Sequence, residues 1–397
     1  MIHFGFRFTT LLAVLFISYG ASALSNFCGG ARSIHCGKTP SAVFDNGGRL
    51  LAVFKQDKHV YFTVSRDAGK TYSEPRAVNS VPETIYANGE NRPKIALGKD
   101  EEILVSWTQK TAERFSGNIR FSRSIDGGNS FSVPITVNDD GLMTSHRFDQ
   151  LHVTPSGRVY IAWLDKRDKV AAMAEGGKYK GAALYYAVSD DAGLSFSNNI
   201  KVADGSCECC RIASANHGSD NMAVFWRHIY GLNTRDHGLA VLTPKGPAKV
   251  DRATQDEWKI DACPHHGPHM ASATEPGRYH LVWFSQGDVR KGIHYGMYNA
   301  ETAVMSNVIP VDHGAGASHP LVAAVGNTVY VLWKFYDGEI TRLQLNRSID
   351  GGANWQSTET LLTSSEDSDH PQLIAAQGRV FIGWSAKKEG YRVIEIH

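Results

Sequence analysis

The most regular feature of the chain is a short β-branched and aromatic run that ends in tryptophan. EEILVSW ends at Trp107, RVYIAW at Trp163, NMAVFW at Trp226, RYHLVW at Trp283, TVYVLW at Trp333 and RVFIGW at Trp384, while an earlier run, RLLAVF, ends at Phe54. Apolar runs of this length and composition predict buried strands. Seven copies at intervals of roughly fifty to sixty residues fall in the period range of propellers and related arrays. A second short segment, often opened by proline, precedes each run: TPSAVF at 39, NRPKIAL at 91, HRFDQLHV at 146, CRIASAN at 210, GPHMASAT at 267, SHPLVAAV at 318 and DHPQLIAA at 369. A third strand such as HVYFTVS or IRFSRS follows, then a turn and usually a fourth strand. Helical periodicity is nearly absent. The pattern predicts an all-β chain, a β-propeller of seven four-stranded blades forming one domain over residues 24–397. The last repeat ends without a fourth strand, and Ala31 to Cys36 are the segment expected to supply it and close the ring.

The turn carries its own signature. SRDAGKTY at Ser65, SIDGGNSF at Ser124, SDDAGLSF at Ser189 and SIDGGANW at Ser348 all fit S-x-D-x-G-x-x-aromatic. Aspartate bonds turn amides, glycine takes a backbone conformation other residues avoid, and the aromatic anchors the hairpin. The motif resembles the Asp-box, or bacterial neuraminidase repeat, of the sialidase-like β-propellers, and through the repeat the resemblance spans residues 24–397. It implies outer hairpins in which Asp67, Asp126, Asp191 and Asp350 are structural. Sialidases of that family have six blades, so six blades plus an irregular unit is the alternative count.

The N-terminus, MIHFGFRFTTLLAVLFISYGASALS, combines Arg7, an apolar stretch from Leu11 to Ile17 and a small-x-small site at Ala21-Ser22-Ala23. It reads as a signal peptide over 1–23, which places the mature chain in the periplasm or outside the cell. Arg7 is the only charged side chain of that leader, so the formal charge of +1 leaves the remainder close to neutral. A balanced surface argues against nucleic-acid partners, and no later stretch is apolar enough to span a membrane. Six cysteines in an exported chain favour disulfides. Cys28 and Cys36 form one candidate pair; Cys263 is a candidate partner for Cys207, Cys209 or Cys210, which leaves two thiols to pair, stay free or ligate metal.

Aligning the repeats brings distant residues to one mouth of the channel. Arg92, Arg147 and Arg211 open the inner strands of three adjacent blades, and His269, His319 and His370 those of the next three. CECCRI at 207–212 and CPHHGPHM at 263–270 fall in the same column, beside His146. Imidazole and thiol side chains near one axis are the ligand types of copper and zinc sites. The chain is therefore expected to bind a transition metal, copper before zinc. His266, His269, His319 and His370 are the leading ligands, with His265, Cys207, Cys209 and Cys210 beside them.

The Asp-box resemblance implies a second function. Sialidases of that family hold a substrate carboxylate with three arginines and use a tyrosine nucleophile and an acidic residue. Arg92, Arg147 and Arg211 would bind the anion, Asp149 or Glu208 would act as acid, and Tyr391 would attack. The chain departs from that pattern: Pro93 follows Arg92 directly, and no Tyr–Glu pair is assignable. If an enzyme, it would be a sialidase-like glycoside hydrolase or a metal-dependent one. A non-catalytic interaction scaffold is the third reading, and a small anionic ligand is the alternative partner to a metal ion.

Overall fold

A computed structural model describes Met1 and residues 31–397. The predicted signal peptide and Cys28 lie outside the described residues. Seven antiparallel sheets follow one another, at residues 38–77, 94–136, 146–206, 213–252, 269–312, 317–364 and 372–396, here blades 1 to 7. Each runs in sequence order; blade 4 adds a short fifth strand and blade 7 has three. The first strand of every blade contacts the first strand of the next, and that of blade 7 contacts that of blade 1. The chain is thus a seven-bladed β-propeller with first strands lining the channel, as the repeat count predicts. Among the described residues the single α-helix is Arg167–Ala174, between the second and third strands of blade 3.

The repeated tryptophans lie on the second strand of blades 2 to 7, each at most 1% exposed. A buried indole N–H requires an acceptor. Each finds one: Trp107 on Glu83 at 2.9 Å, Trp163 on Asp165 at 2.8 Å, Trp226 on Ser206 at 3.1 Å, Trp283 on Asp256 and Trp333 on Asp312 at 2.7 Å, and Trp384 on the Asp369 carbonyl at 2.9 Å. Blade 1 has Phe54 there, which needs none.

The four Asp boxes are one structure built four times. Ser Oγ donates to Asp Oδ1 at 2.8 Å in Asp67 and at 2.7 Å in Asp126, Asp191 and Asp350. The same carboxylate accepts the amides of Thr71, Ser130, Ser195 and Asn354. The motif glycine has a second purpose. A Cβ on Gly69, Gly128, Gly193 or Gly352 would lie 2.8, 2.1, 2.3 or 2.0 Å from Val393, Phe62, Phe121 or Tyr295 of the preceding blade. Glycine is needed both for its positive φ and to let adjacent blades touch.

Among the described residues blade 7 has three strands, and Ala31 to Cys36 do not supply the expected fourth. Residues 31–36 form a turn in which Cys36 and Gly37 both donate to the Ser33 carbonyl, so that carbonyl is unavailable to a ladder. Ile34 instead packs with Phe381 and Tyr391. The ring closes through side chains: Gln372 accepts from Ala42 N at 2.9 Å and donates to Ala42 O at 3.1 Å, while Gln377 donates to the Asp45 and Asn46 carbonyls.

Candidate metal centre

CECCR joins the outer strand of blade 3, Ile200–Ser206, to the first strand of blade 4, Ala213–His217. Turning between blades folds Cys207, Cys209 and Cys210 onto one another. All three are at most 5% exposed, with Sγ separations of 3.7, 4.0 and 3.9 Å. Cys207 Sγ accepts a hydrogen bond from Arg235 Nη1 at 3.2 Å. Bonds from the Cys209 and Cys210 thiols, followed by the charges of Arg227 and Arg235, hold the Cys207 thiol well below its ordinary range. Donation to Cys207 pushes Cys209 and Cys210 upward. Of the three, Cys207 is the one whose thiolate these contacts favour. Arg227 is fixed by the carbonyls of Arg235, His266 and Phe284 and by the Trp258 ring at 4.7 Å.

Cys263 sits on the exposed loop before blade 5 and faces Cys209, whose hydrogen bond lowers the Cys263 thiol to about 7. Cys207, Cys209, Cys210 and Cys263 are all free thiols. The disulfide expected between Cys263 and CECC is not formed: the four thiols are free, and the three buried sulfurs stand 3.7 to 4.0 Å apart, well beyond the roughly 2 Å of an S–S bond. The Cys28–Cys36 pairing involves a residue outside the described region.

The histidines separate from the cysteines. The His319 and His370 rings pack with centroids 3.7 Å apart and planes tilted by 36°, and His266 packs on His319 at 4.8 Å and on Phe284 at 4.2 Å. Glu90 lies beneath them, Oε1 standing 3.5 Å from His370 Nδ1 and 4.0 Å from His319 Nε2. Glu90 Oε2 accepts the Arg211 amide at 2.7 Å, and Oε1 meets Arg211 Nη1 at 3.2 Å. Burial alone would raise the Glu90 carboxyl, but Arg211 and then His370 bring it well below its usual range. Burial lowers His266 to about 4 and His269 to about 3, and lowers His319 strongly, so these imidazoles are neutral donors at pH 7.

Two predicted ligands stand apart. His265 is exposed, and only its carbonyl reaches the group, meeting His319 Nε2 at 3.1 Å. His269 turns into the channel cavity, with Nδ1 accepting the Val322 amide at 3.3 Å. Fully buried His146 joins Asp140 and Asp165 in another cluster. There Arg167 already contacts both carboxylates, at 3.4 and 2.8 Å.

Of the residues of the hydrolase reading, Arg92 and Arg211 meet at one channel cavity of about 190 Å³, whereas Tyr391 lies in the core between blades. Both arginines direct most of their guanidinium N–H groups to protein acceptors. Arg92 serves Gly89, Pro40 and His370 carbonyls and Asp369 at 2.9 Å. Arg211 serves Pro268 and Pro320 carbonyls and Glu90. Arg147 lies over Tyr86, Phe148 and Phe115 at 4.6, 4.8 and 5.7 Å, with Cys209, Glu208 and Cys263 nearby. Asp149 is buried, accepting from Ser106 at 2.6 Å and Thr108 at 3.3 Å. Glu208 pairs with Lys166 and Lys169. Tyr391 is 2% exposed in the core between blades 7 and 1, its hydroxyl without a partner.

Sequence reasoning passed over Glu90 as a possible ligand and Arg227 and Arg235 as thiolate partners. One signal was available for Arg227: like Lys334, it is a basic residue directly after the repeat tryptophan of a buried strand.

No family model and no curated protein sequence matches the chain. Among solved structures, an ulvan lyase, a polysaccharide lyase, matches with a TM-score of 0.57 at 11% identity, covering 92% of each chain. The NanB sialidase from Streptococcus pneumoniae matches with a TM-score of 0.48 at 12% identity, over 75% of this chain and 65% of its own. A protein of unknown function from Dyadobacter fermentans matches with a TM-score of 0.49 at 17% identity, over 76% and 90%. At such identity the lyase shares the propeller fold, and the likeness carries no residue roles.

Proposed function

We propose that this propeller is an exported transition-metal-binding protein whose primary site is the thiol trio Cys207, Cys209 and Cys210, with copper in its reduced state as the preferred ion. The observation that carries the reading is the sulfur spacing of 3.7, 4.0 and 3.9 Å. Sulfurs about 2.3 Å from one ion stand about 3.8 Å apart in a tetrahedron and about 4.0 Å apart in a trigonal plane. Soft thiolates select soft ions such as Cu(I). Arg147, Arg227 and Arg235 offset the negative charge that a thiolate complex accumulates, and the Arg235 hydrogen bond orients one ligand. Cys263 beside Cys209 supplies an exposed thiol through which an ion enters or leaves by ligand exchange. The role is capture or delivery of the ion at the channel mouth.

The test is a Cu(I) titration of the purified chain against a competing chelator, with copper analysis of protein recovered from the periplasm. One equivalent is expected, lost in Cys207→Ser and Cys210→Ser. A wild-type chain that carries no copper and takes up none ends the reading.

A further inference from the structure

The mouth residues form two donor groups rather than one, and we propose that Glu90, His319 and His370 make a second, separate site for a divalent transition-metal ion. One ligand atom from each lies within 4.8 Å of the others. Donors about 2.1 Å from a tetrahedral ion stand about 3.4 Å apart. The spacings from Glu90 Oε1, 3.5 Å to His370 Nδ1 and 4.0 Å to His319 Nε2, come close to that once an incoming ion displaces the proton and the His265 carbonyl from Nε2. Nitrogen and carboxylate donors suit Cu(II) or Zn(II), whereas the thiols suit Cu(I).

Three further observations point to a ligand here. Nδ1 of His266, His319 and His370 are all buried without a hydrogen-bond partner. Unpaired polar atoms gathered at one place mark an ion or water that the fold is built around. Glycines let the donor side chains pack this closely: a Cβ on Gly89 would lie 2.4 Å from His370 Nδ1, and one on Gly267 2.5 Å from Glu90 Oε2. The first strand of blade 6 opens with a register shift between Ser318 and Leu321, and His319 takes a φ of 53° there. Such bulges re-aim a side chain at backbone expense.

Arg211 couples the two sites. Its amide follows Cys210 directly and holds Glu90 Oε2 at 2.7 Å. The histidine site therefore shares a rigid backbone link with the thiol site, although neither needs the other to be filled.

The experiment uses the full chain with Cys207, Cys209 and Cys210 all changed to serine, titrated with Cu(II) and followed by electron paramagnetic resonance. One ion is expected with hyperfine structure from two imidazole nitrogens. Adding His319→Ala or His370→Ala should weaken it by about 100-fold or more. Should the triple variant fail to fold, wild type with its thiols filled by Cu(I) is titrated with Zn(II) and compared with the His319→Ala/His370→Ala double variant. Loss of one Zn(II) equivalent in the double variant supports the site. Binding and spectra indifferent to both histidines overturn it. Cu(I) uptake by the double variant is read separately, so failure of the thiol site and failure of this one are distinguished.

Discussion

Arg235 Nη1 donates to Cys207 Sγ at 3.2 Å, with the two side chains 8% and 1% exposed. A buried guanidinium against a buried sulfur stabilises the thiolate, the form that binds metal. Arg235→Gln removes the charge while keeping an N–H donor. Cu(I) affinity is expected to fall by about tenfold with the stoichiometry unchanged, as read by chelator competition.

Cys263 is the accessible thiol of the group, lowered to about 7 by its bond with Cys209. The thiolate is the reacting form, so alkylation of the metal-free chain should start at Cys263 and accelerate as pH rises, half-maximal near 7. Cys209→Ala should move that midpoint up toward the ordinary thiol range. Mass spectrometry of iodoacetamide-treated protein over a pH series reads both; a midpoint unmoved by the substitution contradicts the contact.

Gly128 has a φ of 84° and faces Phe62, whereas Gly127 has a φ of 69° and nothing within 4 Å. Gly128→Ala should destabilise the fold by about 3 kcal/mol and Gly127→Ala by about 1 kcal/mol, the difference being the blade contact. Urea denaturation of the two variants separates them.

Asp126 is lowered to about 2 by its bonds to Ser130 and Ser124, and the other three boxes are lowered alike. A depressed carboxyl contributes stability that is complete above its unfolded value near 4 and is lost as pH falls through about 2. Acid titration of wild type should show proton uptake on unfolding in that window. Asp126→Asn should reduce it by nearly one proton; an unchanged slope argues against the hairpin bonds.

Tyr391 tests the hydrolase alternative from the core side. Its hydroxyl is buried without a partner. Tyr391→Phe is therefore expected to leave Cu(I) binding unchanged and to be neutral or stabilising by up to about 1 kcal/mol. Thermal unfolding and the copper titration measure the two effects.

The fold was legible because its causes are local and repeated. A β-branched run ending in tryptophan makes a buried second strand wherever it occurs, and Ser-x-Asp-x-Gly makes the same hairpin four times. Seven such units predict seven blades, and a ring of inner strands follows. Closure was less legible: Gln372 and Gln377 perform it through side-chain amides, which leave no periodic signal. The repeat column also predicted neighbours: His319 and His370 meet over Glu90, and Arg211, next to Cys210, reaches the same carboxylate.

What the column could not resolve is direction and distance. One residue of offset or one bulge decides whether an imidazole stacks over Glu90, as His319 and His370 do, turns into the channel, as His269 does, or points to solvent, as His265 does. Whether an arginine is free for an anion depends on which carbonyls surround it, and Arg92 and Arg211 each direct N–H groups to proline carbonyls from other blades. The sequence by itself determined the blades, their count and the residue types at the mouth, because strand and turn propensities act over a few residues. Tertiary structure alone decided that these residues divide into a thiol group beside Arg235 and an imidazole–carboxylate group held by Arg211, because both divisions rest on contacts between blades.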